Sequence, residues 1–121
     1  MTYFTKEHEY IRVDGDTGVC GISNFAQSEL GEIIKVILPE NGKTIKKGDE
    51  ICYVESPKES SKVYAPVSGT IVEINASLED SPELINEDPY GKGWIYKVKL
   101  SDASELKALM VEADYEKYIQ G

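Results

Sequence analysis

The chain has little of what most catalytic sites are built from. Its 121 residues include one histidine and two cysteines, Cys20 and Cys52, which lie far apart with no CxxC spacing and no third ligand nearby. That pattern removes the usual zinc and redox-motif readings. There is no glycine-rich phosphate loop. No apolar run is long enough for a signal peptide or a membrane span, and the opening Met1-Thr2-Tyr3-Phe4-Thr5-Lys6-Glu7-His8 is not an Arg/Ser-rich amphipathic leader. No membrane association is expected, and a bacterial cytoplasm is the expected compartment ahead of a mitochondrial matrix, whose proteins carry a transit peptide. Positive charge is scarce as well, with 13 Lys and Arg against 22 Asp and Glu and a net charge of -9. A surface of that sign lacks the basic footprint a phosphate backbone needs, which argues against nucleic acid and favours partners with basic docking surfaces. His8 and Glu9 are the only imaginable acid–base pair, but sequence neighbours in an extended segment point to opposite faces.

What is present is β-like sequence. Short runs rich in β-branched and aromatic residues recur at Tyr10 to Val13, Thr17 to Ile22, Ile33 to Leu38, Asp49 to Val54, Lys62 to Ala65, Gly69 to Ile74 and Trp94 to Leu100. Turn residues punctuate them, as in Asp14-Gly15-Asp16, Pro39-Glu40-Asn41-Gly42 and Lys47-Gly48-Asp49. One helix is expected over Asn24 to Leu30, capped by Ser23 or Asn24 and stopped by Gly31. Leu106, Leu109, Met110, Ala113 and Tyr118 share roughly one helical face, so an amphipathic C-terminal helix is expected to begin after Ser101-Asp102 or Ser104. Residues 32–51 and 69–96 also form a weak internal repeat, whose halves would close a sandwich. The length suits one domain over residues 1–121 that folds without a metal or disulfide. Both cysteines then read as small buried hydrophobes in a reducing compartment, with a disulfide or redox role as the alternative.

The most informative stretch is Val54-Glu55-Ser56-Pro57-Lys58-Glu59, between a run ending at Val54 and another resuming at Lys62. If Ser56-Pro57-Lys58-Glu59 forms a type I turn, Pro57 supplies the fixed φ of the second position and Lys58 stands third, in solvent. Ser56, preceding proline, is biased toward the extended region where a strand ends. Glu55 and Glu59 surround Lys58 with negative charge, which is not the setting of a free-amine nucleophile. A modifying enzyme, by contrast, can reach an amine placed this way. Since the chain has twelve lysines, hairpin geometry alone does not single this one out.

The segment Val54-Glu55-Ser56-Pro57-Lys58, followed by Ala65-Pro66-Val67-Ser68-Gly69-Thr70-Ile71-Val72-Glu73-Ile74-Asn75, resembles the lipoyl-attachment segment of the glycine cleavage H-protein family. Three further segments match that family in order: His8-Glu9-Tyr10, Gly21-Ile22-Ser23-Asn24-Phe25-Ala26-Gln27-Ser28-Glu29-Leu30-Gly31-Glu32-Ile33, and Pro89-Tyr90-Gly91-Lys92-Gly93-Trp94. The resemblance spans nearly the whole chain. It implies a mainly β, flattened barrel-sandwich hybrid of the biotinyl/lipoyl type, with the modified lysine on the hairpin that links the two halves. Lys58 would carry lipoate as an amide, with Glu55, Ser56, Pro57 and Glu59 as the attachment-motif neighbours. The protein would be a carrier and not an enzyme, a monomer, and a substrate of four kinds of partner. These are the pyridoxal-phosphate glycine decarboxylase, the tetrahydrofolate-dependent aminomethyltransferase, the flavin-containing dihydrolipoamide dehydrogenase, and a lipoate ligase or lipoyl/octanoyl transferase.

In this family the loaded arm is thought to fold into a cleft where carboxylates hold its terminal amine. The resemblance places Glu9 at one such position and His8 beside it. The second acidic position falls four residues after the modified lysine and is Lys62 here, a charge reversal that opposes a docked ammonium by on the order of 1 kcal/mol. Pro57 stands where the family usually has valine, and Tyr10 where it usually has tryptophan. Lys62 motivates an alternative, an H-like relay protein that passes lipoate or octanoate to the lipoyl domains of 2-oxoacid dehydrogenases. A biotin carrier is disfavoured, because Ser56-Pro57-Lys58-Glu59 replaces the Met-Lys-Met setting usual around biotinyl lysines.

Overall fold

Residues 1–121 are all described by the structure, a computed structural model. Strands β1 (Thr2–Phe4), β2 (Glu9–Asp14) and β3 (Thr17–Ile22) lead into helix α1 (Asn24–Leu30), followed by β4 (Lys35–Ile37), β5 (Thr44–Ile45), β6 (Glu50–Glu55), β7 (Ser60–Tyr64) and β8 (Gly69–Ile74). Two one-turn helices, α2 (Ser77–Asp80) and α3 (Leu84–Glu87), precede β9 (Tyr96–Leu100). A 3-10 turn over Ala103–Ala108, β10 (Met110–Val111) and α4 (Glu112–Ile119) complete the chain. The strands form two open sheets, one ordered β10-β1-β2-β3-β9-β8-β5 and the other β4-β6-β7. This is the mainly β barrel-sandwich hybrid expected from the sequence, with its short helix over residues 24–30 and a helix at the C-terminus.

Strand alternation builds the core. In β6, Cys52 and Val54 face inward while Tyr53 and Glu55 do not, and in β9 Tyr96 and Val98 are inward with Lys97 and Lys99 outside. These residues join Ile11, Cys20, Ile22, Val63, Ile71 and Ile95 in one buried cluster, each large aliphatic side chain contributing on the order of 2 kcal/mol by leaving water. Both cysteines are free and buried, as small hydrophobes would be. Burial pushes the Cys52 thiol up to about 12 and the Cys20 thiol higher still, so neither is a ready nucleophile. The weak repeat has a structural counterpart, because β4 pairs antiparallel with β6 in one sheet as β8 does with β9 in the other.

Helix α1 starts and stops where its signals lie. The Ser23 hydroxyl accepts the Ala26 N–H at 3.1 Å, and Gly31 closes the helix at φ 81°. The C-terminal helix is shorter than the periodicity predicts, because it begins at Glu112 and not near residue 102. Asp102 instead caps the 3-10 turn by accepting the Ser104 N–H. The chain is then extended at Met110 and Val111, where β10 pairs with β1 through Tyr3↔Val111 and Phe4↔Met110. Leu106 and Leu109 pack on the main core, whereas Met110 packs on a second cluster of Phe4, Tyr10 and Tyr115. Two different cores thus take three of the apolar positions that the sequence pattern assigns to one helical face, and the other two, Ala113 and Tyr118, are exposed.

Candidate functional site

Strands β6 and β7 form a hairpin whose last ladder pair is Glu55↔Ser60. Beyond it, the Ser56 N–H donates to the Glu59 carbonyl at 2.8 Å. The tip is not closed by the backbone bond from Glu59 N–H to the Ser56 carbonyl that the type I reading anticipates. The Ser56 hydroxyl takes that place, accepting the Glu59 N–H and lying within donating distance of the Glu59 carbonyl, both at 3.3 Å. Ser56 is buried beneath the tip, while Pro57, Lys58 and Glu59 are exposed. Lys58 belongs to neither of the chain's two ion pairs, which join Lys62 to Glu50 and Lys97 to Glu73. Its amine therefore stands free at the end of a stapled hairpin. The hairpin root is also fixed from the side, because β4 pairs Lys35 with Glu55 and the Ile34 N–H donates to the Glu55 carbonyl at 2.8 Å.

Glu9 and His8 point into different surroundings, as expected of neighbours. Glu9 is 2% exposed. Its Oε1 accepts the Thr5 hydroxyl at 2.7 Å and its Oε2 the Tyr64 N–H at 3.1 Å. Desolvation outweighs both bonds and raises its carboxyl to about 7. His8 adopts φ 70°, a conformation few non-glycine residues take. It is held there by the Ser23 N–H on its carbonyl at 2.9 Å and by Nδ1 against the Tyr115 hydroxyl at 2.8 Å. Its ring lies 4.8 Å from that of Phe25. Burial lowers its pKa, against the opposing charges of Glu7 and Glu29. Lys62 is exposed and turned toward Glu50 at 3.8 Å. The structure therefore brings Glu9 to β7, the strand that carries Lys62, but gives His8, Glu9 and Lys62 separate partners.

The Pro89-to-Trp94 segment supports this arrangement from below. The hydroxyl of fully buried Tyr10 donates to the Pro89 carbonyl at 2.6 Å, and the Tyr90 hydroxyl accepts the Asn24 N–H at 2.9 Å. A side chain at Gly93 would meet the Leu84 carbonyl and the Ile85 backbone. Tyr10 thus fills its position with a hydrogen bond as well as with a ring. Thr5, Tyr64, Ser23 and Tyr115, which hold Glu9 and His8, were not legible in the sequence. Tyr64 lies 55 residues from Glu9 and Tyr115 lies 107 from His8, and only the spacing of Thr5 to Glu9 offered a local signal.

The donor set suits a carried acyl group. A solvent-exposed primary amine stands on a hydrogen-bonded hairpin and belongs to no ion pair. No helix is long and apolar enough to cross a membrane.

Comparison with known proteins gives one answer. Residues 2–121 match the family model described as glycine cleavage H-protein. The chain is 50% identical to the glycine cleavage system H protein of Beijerinckia indica over 120 residues, 99% of this chain and 97% of that one. It is 50% identical over 117 residues to the protein of the same name from Carboxydothermus hydrogenoformans, covering 97% and 90% of the two chains. The crystal structure of a glycine cleavage system H protein from Mycobacterium marinum superposes with a TM-score of 0.90 at 35% identity, covering 99% of this chain and 97% of that one.

Proposed function

The chain belongs to the glycine cleavage H-protein family, the lipoyl carriers of the glycine cleavage system, and from that premise we propose that residues 1–121 form one carrier domain that bears lipoate on Nζ of Lys58. The observation that carries this reading is the placement of Lys58, free of any ion pair, at the tip of a hairpin stapled by Ser56. When bound, the lipoyl group supplies a dithiolane that accepts an aminomethyl group. The chain's own residues present the attachment point and carry out no chemistry on glycine, so the protein acts as a protein substrate and not as an enzyme. Its partners are the glycine decarboxylase, the tetrahydrofolate-dependent aminomethyltransferase, the dihydrolipoamide dehydrogenase, and the ligase or transferase that attaches the lipoate. Docking of the carrier raises the effective concentration of the arm at each of them, and its net charge of -9 favours basic docking surfaces.

Lys62 favours a second reading, a relay that hands lipoate or octanoate to other lipoyl domains, because the cation on β7 opposes retention of a cationic load. Glycine–bicarbonate exchange separates the two. With a glycine decarboxylase, the fully lipoylated protein should support exchange and the Lys58→Arg variant should not. Absence of exchange despite full lipoylation would transfer the assignment to the relay.

A further inference from the structure

Strands β1 and β2, helices α1 and α4 and the side chain of Tyr90 line a cleft of about 560 Å³, the size of a small-molecule site. No residue of the Lys58 hairpin takes part in it. Its deep wall is aromatic, with Phe4 stacked on Tyr115 at 4.3 Å between ring centres and Tyr10 edge-on to Tyr90 at 5.0 Å. The three phenol hydroxyls of that wall already have partners. Tyr10 bonds the Pro89 carbonyl, Tyr90 the Asn24 N–H, and Tyr115 both His8 and Ser23. Polar recognition in the cleft therefore falls mainly to the exposed charged residues that line it, Arg12, Glu112 and Glu116.

These charges are not paired with one another, because the chain's two ion pairs lie elsewhere. Arg12 Nη1 donates instead to the Tyr90 carbonyl at 2.6 Å, which holds the guanidinium on that side of the cleft. Strand register sets the separation. Thr2 pairs with Arg12 and Tyr3 with Val111, so the position next to Thr2 on its other side is that of Glu112. Arg12 and Glu112 thus stand about 9.6 Å apart, two strand spacings, and Glu116 follows Glu112 by one helical turn on the same face. We propose that this cleft binds the zwitterion of an α-amino acid with an apolar side chain. The carboxylate meets Arg12, the ammonium lies between Glu112 and Glu116, and the side chain covers Phe25, Tyr90 and Ile119.

Length, charge and surface support it. Charge-assisted contacts of about 2.8 Å at each end and a span of about 3.5 Å from ammonium nitrogen to carboxylate oxygen together match the gap between the two strands. Two carboxylates against one guanidinium disfavour a ligand that brings only an anion, and Arg12 disfavours one that brings only a cation. The apolar body gains by taking surface from water, since Phe25 and Ile119 are half-buried and Tyr90 is 37% exposed.

The test titrates the full chain with L-phenylalanine, L-phenylalaninamide, N-acetyl-L-phenylalanine and glycine, read by NMR at the Phe25 and Tyr90 rings and the Ile119 methyl groups. L-phenylalanine should give saturable shifts with a Kd on the order of a millimolar, as suits a ligand of its size. The amide and the N-acetyl analogue, which each lack one charge, should bind about fivefold more weakly, and glycine, which lacks the apolar body, about tenfold more weakly. Glu112→Gln should weaken both L-phenylalanine and the amide, whereas Arg12→Gln should weaken L-phenylalanine alone and Arg12→Lys should restore it to within about twofold of the parent. Absence of saturable shifts at tens of millimolar would overturn the site. Binding of the amide as tight as that of L-phenylalanine, or equal loss of both in Arg12→Gln without recovery in Arg12→Lys, would overturn the place given to the carboxylate and with it the zwitterion.

Discussion

The Glu9 carboxylate accepts the backbone N–H of Tyr64 at 3.1 Å across 55 residues of sequence. Through that bond β2 of the larger sheet grips β7, the strand that runs back from the Lys58 hairpin. The Thr5 hydroxyl holds the other carboxylate oxygen at 2.7 Å, which leaves this buried acid facing the hairpin's return strand.

Because burial raises the Glu9 carboxyl to about 7, the folded protein binds a proton there that the unfolded chain has already released. Its contribution to stability is therefore greatest below about pH 4.5, declines as the pH rises toward 7, and is flat above that. Urea unfolding of the parent and of Glu9→Gln at pH 5 and pH 7.5 checks this. The parent should lose more stability than the variant between those pH values, by up to about 3 kcal/mol. Parallel pH profiles would show that the carboxyl does not titrate there.

Ser56→Ala removes the hydroxyl that closes the hairpin tip. Its two contacts are long, at 3.3 Å, so the cost in stability should be only about 0.5–1 kcal/mol. Lipoyl attachment should slow by more than that loss of folded protein explains, because Lys58 is then presented on a looser tip. Attachment rates measured well below the melting temperature check it, and unchanged rates would reduce Ser56 to a packing residue.

Strands β3 and β8 and helix α1 were legible to the residue. Each carries its own signal, β-branched runs in the strands and Ser23 and Gly31 at the ends of the helix. The hairpin that bears Lys58 was legible for the same reason, since its turn residues and proline are local, whereas the choice of that lysine among twelve came from the family resemblance. Strands β1, β5 and β10 are two or three residues long and exist because a partner strand pairs with them, which no window of sequence records. The helices α2 and α3 are single turns, too short for a period to emerge. Tyr64 and Tyr115, which bond Glu9 and His8, stayed hidden because they lie 55 and 107 residues away in sequence.

Lys62→Glu should leave the fold intact. The ion pair it breaks spans 3.8 Å between side chains that are 61% and 47% exposed, so stability should change by less than about 1 kcal/mol. The load should change more. Lipoylated protein charged with methylamine should release it faster with Lys62 than with glutamate at that position, measured by mass spectrometry over time. Equal release rates would remove Lys62 from any part in holding the arm.

Asn86 ties α3 to the end of α1 and the approach to β4. Its amide donates to Gln27 Oε1 at 2.9 Å and the Gly31 carbonyl at 2.8 Å, and its oxygen accepts the Ile33 N–H at 2.8 Å. Asn86→Ala leaves these half-buried groups without partners and should destabilise the protein by about 2–3 kcal/mol, read from thermal or urea unfolding. A change below about 0.5 kcal/mol would mean that water replaces the amide.

The assignment of Lys58 is tested most directly by incubating the protein with a lipoate ligase, ATP and lipoate, followed by intact and peptide-resolved mass spectrometry with Lys58→Arg in parallel. A single lipoyl increment confined to the peptide containing Lys58 and lost in the variant is the predicted result. An unmodified protein alongside a competent ligase control, or an increment on another lysine, would contradict it.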